Sequence, residues 1–415
     1  MSYLVNMCVV LDLFAIMSTI FAVVFYDRYR EKMKKVSNYG NEKIFILLPA
    51  FKEQSLVNET LDYYSKLKGY NYMIIVITSE QEEYENKRFG TRIKTTRECV
   101  EEYLDKKNDC SIVHLHGSYT SGTKSTQLNF ALNAIIQSMR LEDYSSNYIG
   151  VYDFDARPNL EILKDLRKII YYKNNPEVIQ QVPINLKNYQ ELAMKKNCAM
   201  IVHCYQTMIR SVGIELATLL LHLKGIFLPL YCMGAGMFFR LDTLIENGFF
   251  PEPVDDIALG YRLYLQGKRF GLFPKYSFVE SPNSIEEVTK QDVGIFKGIC
   301  YGVLEIKQKS KLRRKIPTCC LIVHNILLRT VLPWIYLIYI LLSLYYTRLN
   351  LAVVMILVMP LARTIVGSYS MKRADAVGSK MKKNLNLIKL FIYSYLWRFI
   401  RTFGPLKVVF SKIIS

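Results

Sequence analysis

"IGVYDFDARP" occupies residues 149–158. A run of mostly apolar residues delivers the chain to Asp153 and Asp155, and an Arg-Pro pair follows. In a strand, residues i and i+2 project to one face, so two acids one residue apart are expected side by side at a strand's end. Like charges placed that way repel unless a cation or a partner neutralises them. Pro158 has no N–H to give a ladder and stops the strand. In open α/β sheets ligands collect at the carboxyl ends of strands, so this stretch locates a candidate site before it indicates a chemistry.

Other runs share its character. "KIFILLPAF" (43–51), "YMIIVIT" (72–78) and "CSIVHLH" (110–116) are short and rich in Ile and Val, and "EVIQQVPIN" (177–185) reads as a further strand. Helical patterns such as 56–67 and 124–139 lie between them. Such alternation predicts a mostly parallel sheet with helices on both faces. Residues 187–223 read as long helices, 233–250 as a Gly-loosened loop running into a helix, and 254–267 as a helix opening on Asp255 and Asp256.

The ends of the chain differ from its centre. Residues 9–26, 319–346 and 351–369 are apolar runs long enough to cross the roughly 30 Å hydrocarbon core of a bilayer, and 385–400 is a marginal fourth that suits either a span or a surface helix. The first run lacks the basic leader and small-residue cleavage site of a signal peptide. Sixteen of the 54 Lys and Arg residues fall in 28–35, 307–315 and 372–383, each group abutting an apolar run. They read as cytoplasmic anchors on an anionic leaflet, not as a nucleic-acid surface. The expected topology is a multi-pass protein of the cell membrane, with the N-terminus outside and the central domain cytoplasmic. Asp12 and Arg329, costly in lipid, fall at comparable depths and suit a buried pair or a polar path. Nine cysteines without paired spacing suggest neither a disulfide framework nor a zinc site.

An Asp-x-Asp pair can hold a hard divalent cation, though Asp also ends strands as a turn former. The company it keeps narrows the reading. "ILLPAFKE", "KSTQLNFALN", "VYDFDARP", "GAGMFFRLDTLIENGFF" and "VDDIALGYRL" occur in that order, and together they resemble the membrane-bound family 2 glycosyltransferases, which include cellulose and hyaluronan synthases and bacterial exopolysaccharide enzymes. The resemblance covers about residues 43–300. It implies a GT-A domain (Rossmann-like α/β, mostly parallel sheet) flanked by one N-terminal and two to three C-terminal transmembrane helices. The expected division is 1–26 membrane helix, 27–42 basic linker, 43–300 catalytic domain, 301–317 basic linker and 318–415 membrane region, with helices near 318–346, 350–370 and a candidate at 385–403.

Carried over by position, the resemblance implies that Pro49, Ala50 and Glu53 cup the nucleoside. Lys124 and Asn129, with Leu128, lie over the nucleotide. Asp153 and Asp155 hold Mg²⁺ or Mn²⁺ against the diphosphate. Gly234 and Gly236 form the acceptor-pocket loop, Asp256 is the general base, and Asp255 stands where Glu is usual. Two departures stand out. The acidic turn after the second strand becomes "VITSEQEE" (76–83), where Glu80 is the candidate substitute. In 290–298, Gln291 remains, but Gly294 and Ile295 replace the Arg and Trp of processive synthases. The implied activity is inverting transfer of a sugar from a nucleotide-diphosphate donor, UDP-linked by expectation, to a lipid-linked or growing polysaccharide acceptor. The alternatives are a processive polysaccharide synthase that secretes its product and an inactive subunit of a glycan-assembly complex.

Overall fold

The structure, a computed structural model, describes residues 2–37, 39–107, 110–226, 228–306, 312–346, 351–373 and 387–414. The basic stretch 307–311, residues 347–350 and most of the 372–383 cluster lie outside the described residues. The chain divides into two compact units. One comprises Tyr29–Pro183 and Tyr231–Val279; the other comprises Met1–Arg28, Ile184–Leu230 and Glu280–Ser415. Within 43–300, residues 184–230 and 280–300 belong to the second unit.

The first unit is built on a sheet. Its strands are β1 (Ile44–Pro49), β2 (Tyr72–Ser79), β3 (Ile112–Gly117), β4 (Tyr148–Val151) and β5 (Val178–Gln180). After the short strand β6 (Pro183–Asn185) come β7 (Met237–Arg240), β8 (Phe270–Leu272) and β9 (Ser277–Val279). Seven of them form one sheet in the order β3-β2-β1-β4-β7-β5-β8. All pairs are parallel except those made by β7, which runs antiparallel to both neighbours. Every residue of β1 is buried, as expected for a strand covered on both faces, whose sequence shows no polar alternation. The core beneath includes Leu61, Tyr64, Leu163, Leu166 and Phe238.

Two local features set the approach to the site. The turn after β4 is fastened by Arg157, whose Nη1 donates to the carbonyls of Phe154 (3.1 Å) and Ala156 (3.0 Å) while Nη2 reaches Thr60 Oγ1 at 2.9 Å. The helix Ile257–Gln266 starts on the cap of Asp256 and ends at Gly267, whose φ of +87° favours glycine. Its Gly260 lies so close to the preceding loop that a Cβ there would stand 2.0 Å from the Cys232 nitrogen.

The second unit is helical. The N-terminal run lies in one helix, Ser2–Lys34. The stretch expected as one apolar run over 319–346 builds two helices, Leu312–Arg329 and Leu332–Tyr345, bent by 63° at a short break. Pro333 in the first turn of the second helix is the reason: it cannot donate to the turn before it and disfavours helical geometry in the preceding residue. Among the described residues, Val353–Lys372 is a single helix long and apolar enough to cross a membrane, and the bent pair qualifies taken together. Helices Leu351–Arg373 and Leu387–Ile400 both pack on Cys198–Met208. Arg329 pairs with Asp292 at 2.7 Å; the side chain of Asp12 lies outside the described ones.

Candidate functional site

A cleft of about 420 Å³ opens in the sheet unit, lined by Pro49, Phe51, Glu53, Lys124, Asp153 and Asp155 among others. Asp153 and Asp155 fall just past β4, so it is the Arg157-held turn, not strand pleating, that presents both to one cavity. Lys124 opens the helix Lys124–Gln137, whose start is set by Thr126 Oγ1 accepting from the Thr123 N–H at 2.9 Å. Its ammonium donates to Asp153 Oδ1 at 2.6 Å and to the Gly234 carbonyl at 3.3 Å, and stands 3.4 Å from Asp255 Oδ2. Burial works against that charge, but Asp153 and then Asp255 outweigh it, and the ammonium is held above the ordinary lysine range.

Asp256 completes the cluster. Oδ1 accepts from the Ile257 N–H at 2.6 Å and Oδ2 from the Gly234 N–H at 3.0 Å. Burial first, and the neighbouring Asp255 second, push its carboxyl up to about 7, with Lys124 pulling the other way. A carboxyl titrating near neutrality is matched to taking a proton at that pH. A Cβ on Gly234 would stand 3.1 Å from Asp256 Oδ2, tighter than most Cβ contacts, and 3.4 Å from Lys124 Nζ, so a side chain there would crowd the Asp256 carboxylate. Gly236 has φ of +91°, and a Cβ there would meet Gln181 at 2.8 Å.

The remaining candidates are placed as follows. The Ala50 carbonyl accepts from Gln127 Nε2 at 3.0 Å, and Glu53 N–H donates to Thr96 Oγ1 at 2.9 Å. Asn129 exchanges two 2.9 Å hydrogen bonds with the backbone of Phe250; its amide fixes that loop and does not line the cleft. Glu80 precedes the helix Gln81–Phe89, and it is Gln81 that reaches the cleft. The buried acid of "VITSEQEE" is Glu82, which accepts from Lys52 N–H (2.6 Å), Gln54 Nε2 (2.7 Å) and Thr96 N–H (2.9 Å). It clamps the loop after β1. Gln291 is exposed on the helix Ile285–Glu305, an element of the helical unit.

Sequence reasoning missed Phe51 and Tyr119, both lining the cleft, and the Tyr119 hydroxyl is buried without a hydrogen-bond partner. It also gave Arg157 no role beside the strand-stopping Pro158, although its guanidinium fastens the turn.

Among the described residues no group of three or more His, Cys, Asp or Glu side chains is disposed to hold a metal. The donor set nevertheless fits Mg²⁺ or Mn²⁺, because hard ions of this kind are commonly held by one or two carboxylates with the rest of the shell from water and substrate phosphate.

No family model matches the chain, and no curated protein matches it. Among solved structures, it is similar to the mannosyltransferase PcManGT from Pyrobaculum calidifontis in complex with GDP-Man and Mn²⁺, at 13% identity over 94% of this chain and 98% of that one, with a TM-score of 0.46. It is also similar to S. aureus TarS 1–349 at 11% identity, covering 86% and 91%, TM-score 0.43. The same TarS fragment in complex with UDP-GlcNAc gives 12% identity, the same coverage and a TM-score of 0.42. These are similarities to those proteins and no more.

Proposed function

We propose that the chain is a membrane-bound, GT-A-type inverting glycosyltransferase that moves a sugar from a nucleotide-diphosphate donor, UDP-linked by preference, to a lipid-linked or growing glycan. The observation that carries this reading is one cluster. Lys124, Asp153 and Asp155 line a cleft, and through the Lys124 contacts with Asp153, Asp255 and Gly234 they stand beside Asp256, a half-buried carboxyl pushed up to about 7.

In this reading Phe51 and Tyr119 give the nucleobase aromatic surface, and Lys124 neutralises charge growing on the departing diphosphate. A divalent ion held by Asp153 and Asp155 would add Lewis-acid neutralisation of the same charge. Asp256 takes the proton of the acceptor hydroxyl. A single base without a carboxylate nucleophile fits one displacement with inversion. The similarities to proteins whose structures hold GDP-Man with Mn²⁺ or UDP-GlcNAc are in keeping with such donors. Membrane attachment is proposed from the helix Val353–Lys372 and the bent pair before it. Single addition is preferred over processive synthesis, because Gly294 and Ile295 offer no aromatic platform on the helix Ile285–Glu305.

A thermal-shift measurement on the purified chain tests the donor site. UDP is expected to raise the melting temperature only with Mn²⁺ or Mg²⁺ present, and Asp155→Ala should remove that increment. An equal increment without metal, or in Asp155→Ala, would count against the assignment.

The pH dependence tests the base. Asp256 must be ionised to act, so initial rates should climb as pH passes through about 7 and level off above. Asp255→Asn, by removing the like charge, should move that midpoint lower. A raised carboxyl also favours the fold when protonated. Its contribution is therefore complete below the ordinary aspartate range and is lost as pH rises through about 7.

A further inference from the structure

The helical unit contains a second cavity, of about 90 Å³, that the transferase reading does not use. Five arginines line it: Arg210, Arg329, Arg363, Arg398 and Arg401. They come from four separate helical segments and the turn after the last. Among the described residues no carboxylate lines it. Arg210 sits on a π-helical stretch, Ile209–Leu216, a geometry rare in helices and frequent at functional sites.

Part of this charge is held in place from behind. Arg210 Nε pairs with Glu215 at 2.9 Å. Asp292, 1% exposed, accepts from Arg329 Nη1 at 2.7 Å and from Arg401, whose Nε stands 2.9 Å from Oδ2. Asp292 thus fixes two guanidinium groups side by side that would otherwise repel. Five guanidiniums and these two carboxylates still sum to three positive charges. Residues 306–415, from which four of the five arginines come, contain 19 Lys and Arg and one acid, Asp375. Snorkelling to a headgroup layer is the ordinary fate of such side chains, yet these converge on one cavity and Arg329 is buried.

A second observation points to an acceptor. Trp397 lines the cavity and is 2% exposed, and its indole N–H has no hydrogen-bond partner. Indole only donates, so an oxygen acceptor is the partner it fits. Guanidinium forks suit the paired oxygens of a phosphate. A volume near that of three waters, at roughly 30 Å³ each, is of the order of one phosphate group.

We infer that this cavity is a binding site for a phosphate group, either the headgroup of an anionic lipid or a free anion, held by Arg363, Arg398 and the Trp397 N–H on a frame set by Asp292. The inference does not rest on the transferase reading: neither nucleotide nor sugar transfer enters it.

The test uses the full chain in neutral detergent. The sequence has two tryptophans, so Trp334→Phe leaves Trp397 as the sole indole reporter. Inorganic phosphate, pyrophosphate and short-chain phosphatidic acid are titrated separately, with sodium chloride at matched ionic strength as the control. A saturable change in Trp397 emission is expected. Saturation by phosphate or pyrophosphate alone identifies a free anion; a response confined to phosphatidic acid identifies a lipid headgroup. Adding Arg363→Gln and Arg398→Gln together should weaken the apparent Kd about tenfold or more, given the strength of hydrogen bonds to charged groups. Should that variant fail to fold, Arg398→Lys, which keeps the charge but loses the fork, should weaken binding instead. No saturable response to any of the three probes, the same response to sodium chloride, or undiminished affinity in the arginine variant that folds would overturn the inference.

Discussion

Asp256→Asn is expected to lower the rate of sugar transfer by roughly 10²–10⁴-fold, the usual contribution of a positioned general base, with donor binding kept. The substitution is nearly isosteric. Asn caps a helix about as well as Asp, so an amide oxygen in the place of Oδ1 keeps the Ile257 N–H cap that starts the helix Ile257–Gln266, and only the 3.0 Å contact of Oδ2 with the Gly234 N–H is given up. What it cannot do is take a proton. The metal-dependent stabilisation by UDP should therefore be close to that of the unaltered chain, since Lys124, Asp153 and Asp155 remain. Comparing initial rates with the thermal shift separates the two roles. Loss of both together would make Asp256 a residue of the scaffold rather than of the reaction.

Asp292→Ala is the second large effect, and it concerns stability. Asp292 is buried between Arg329 and Arg401. Burial alone would raise its carboxyl, but Arg401 and then Arg329 hold it down at about 2. Removing the carboxylate leaves two guanidinium groups facing each other with their shared partner gone. Breaking a buried pair in this way costs about 3–5 kcal/mol, and the melting temperature of the full chain in detergent should fall accordingly. A depressed carboxylate contributes stability above its unfolded range and loses it only as pH falls through about 2. The deficit of Asp292→Ala should therefore be undiminished across neutral and mildly acidic pH. An unchanged melting temperature would contradict the bridge.

Much of the sheet unit was legible in the chain, and the reasons are local. β1, β2 and β4 each announce themselves as short Ile- and Val-rich runs between helical patterns, because strands buried on both faces need not alternate. β7 was not legible. "MFFR" is four residues long behind two glycines, and its place between β4 and β5 depends on partners far away in sequence. The acids of 149–158 were found for an inexact reason: strand alternation predicted their shared face, whereas the strand ends at Val151 and Arg157 shapes the turn. Glu82 shows the same limit. Which of the acids in 76–83 turns inward is decided by donors on the loop after β1 and at Thr96, and no pattern within those eight residues encodes it. The arginine cavity was the least visible. None of its five arginines lies in the three basic groups beside the apolar runs, Arg329 read alone is a costly charge inside one, and only packing brings the five together.

The central claim is that the cleft holding Lys124, Asp153 and Asp155, with Asp256 beside it, transfers sugar from a nucleotide diphosphate. The most direct measurement incubates the purified chain with a panel of radiolabelled nucleotide sugars, Mn²⁺ and membrane lipid extract, beside Asp256→Asn under the same conditions. The account predicts that label from one donor enters a lipid or glycan fraction with the unaltered chain and stays at background with the variant. Equal label from both proteins, or none above background from any donor, would contradict it.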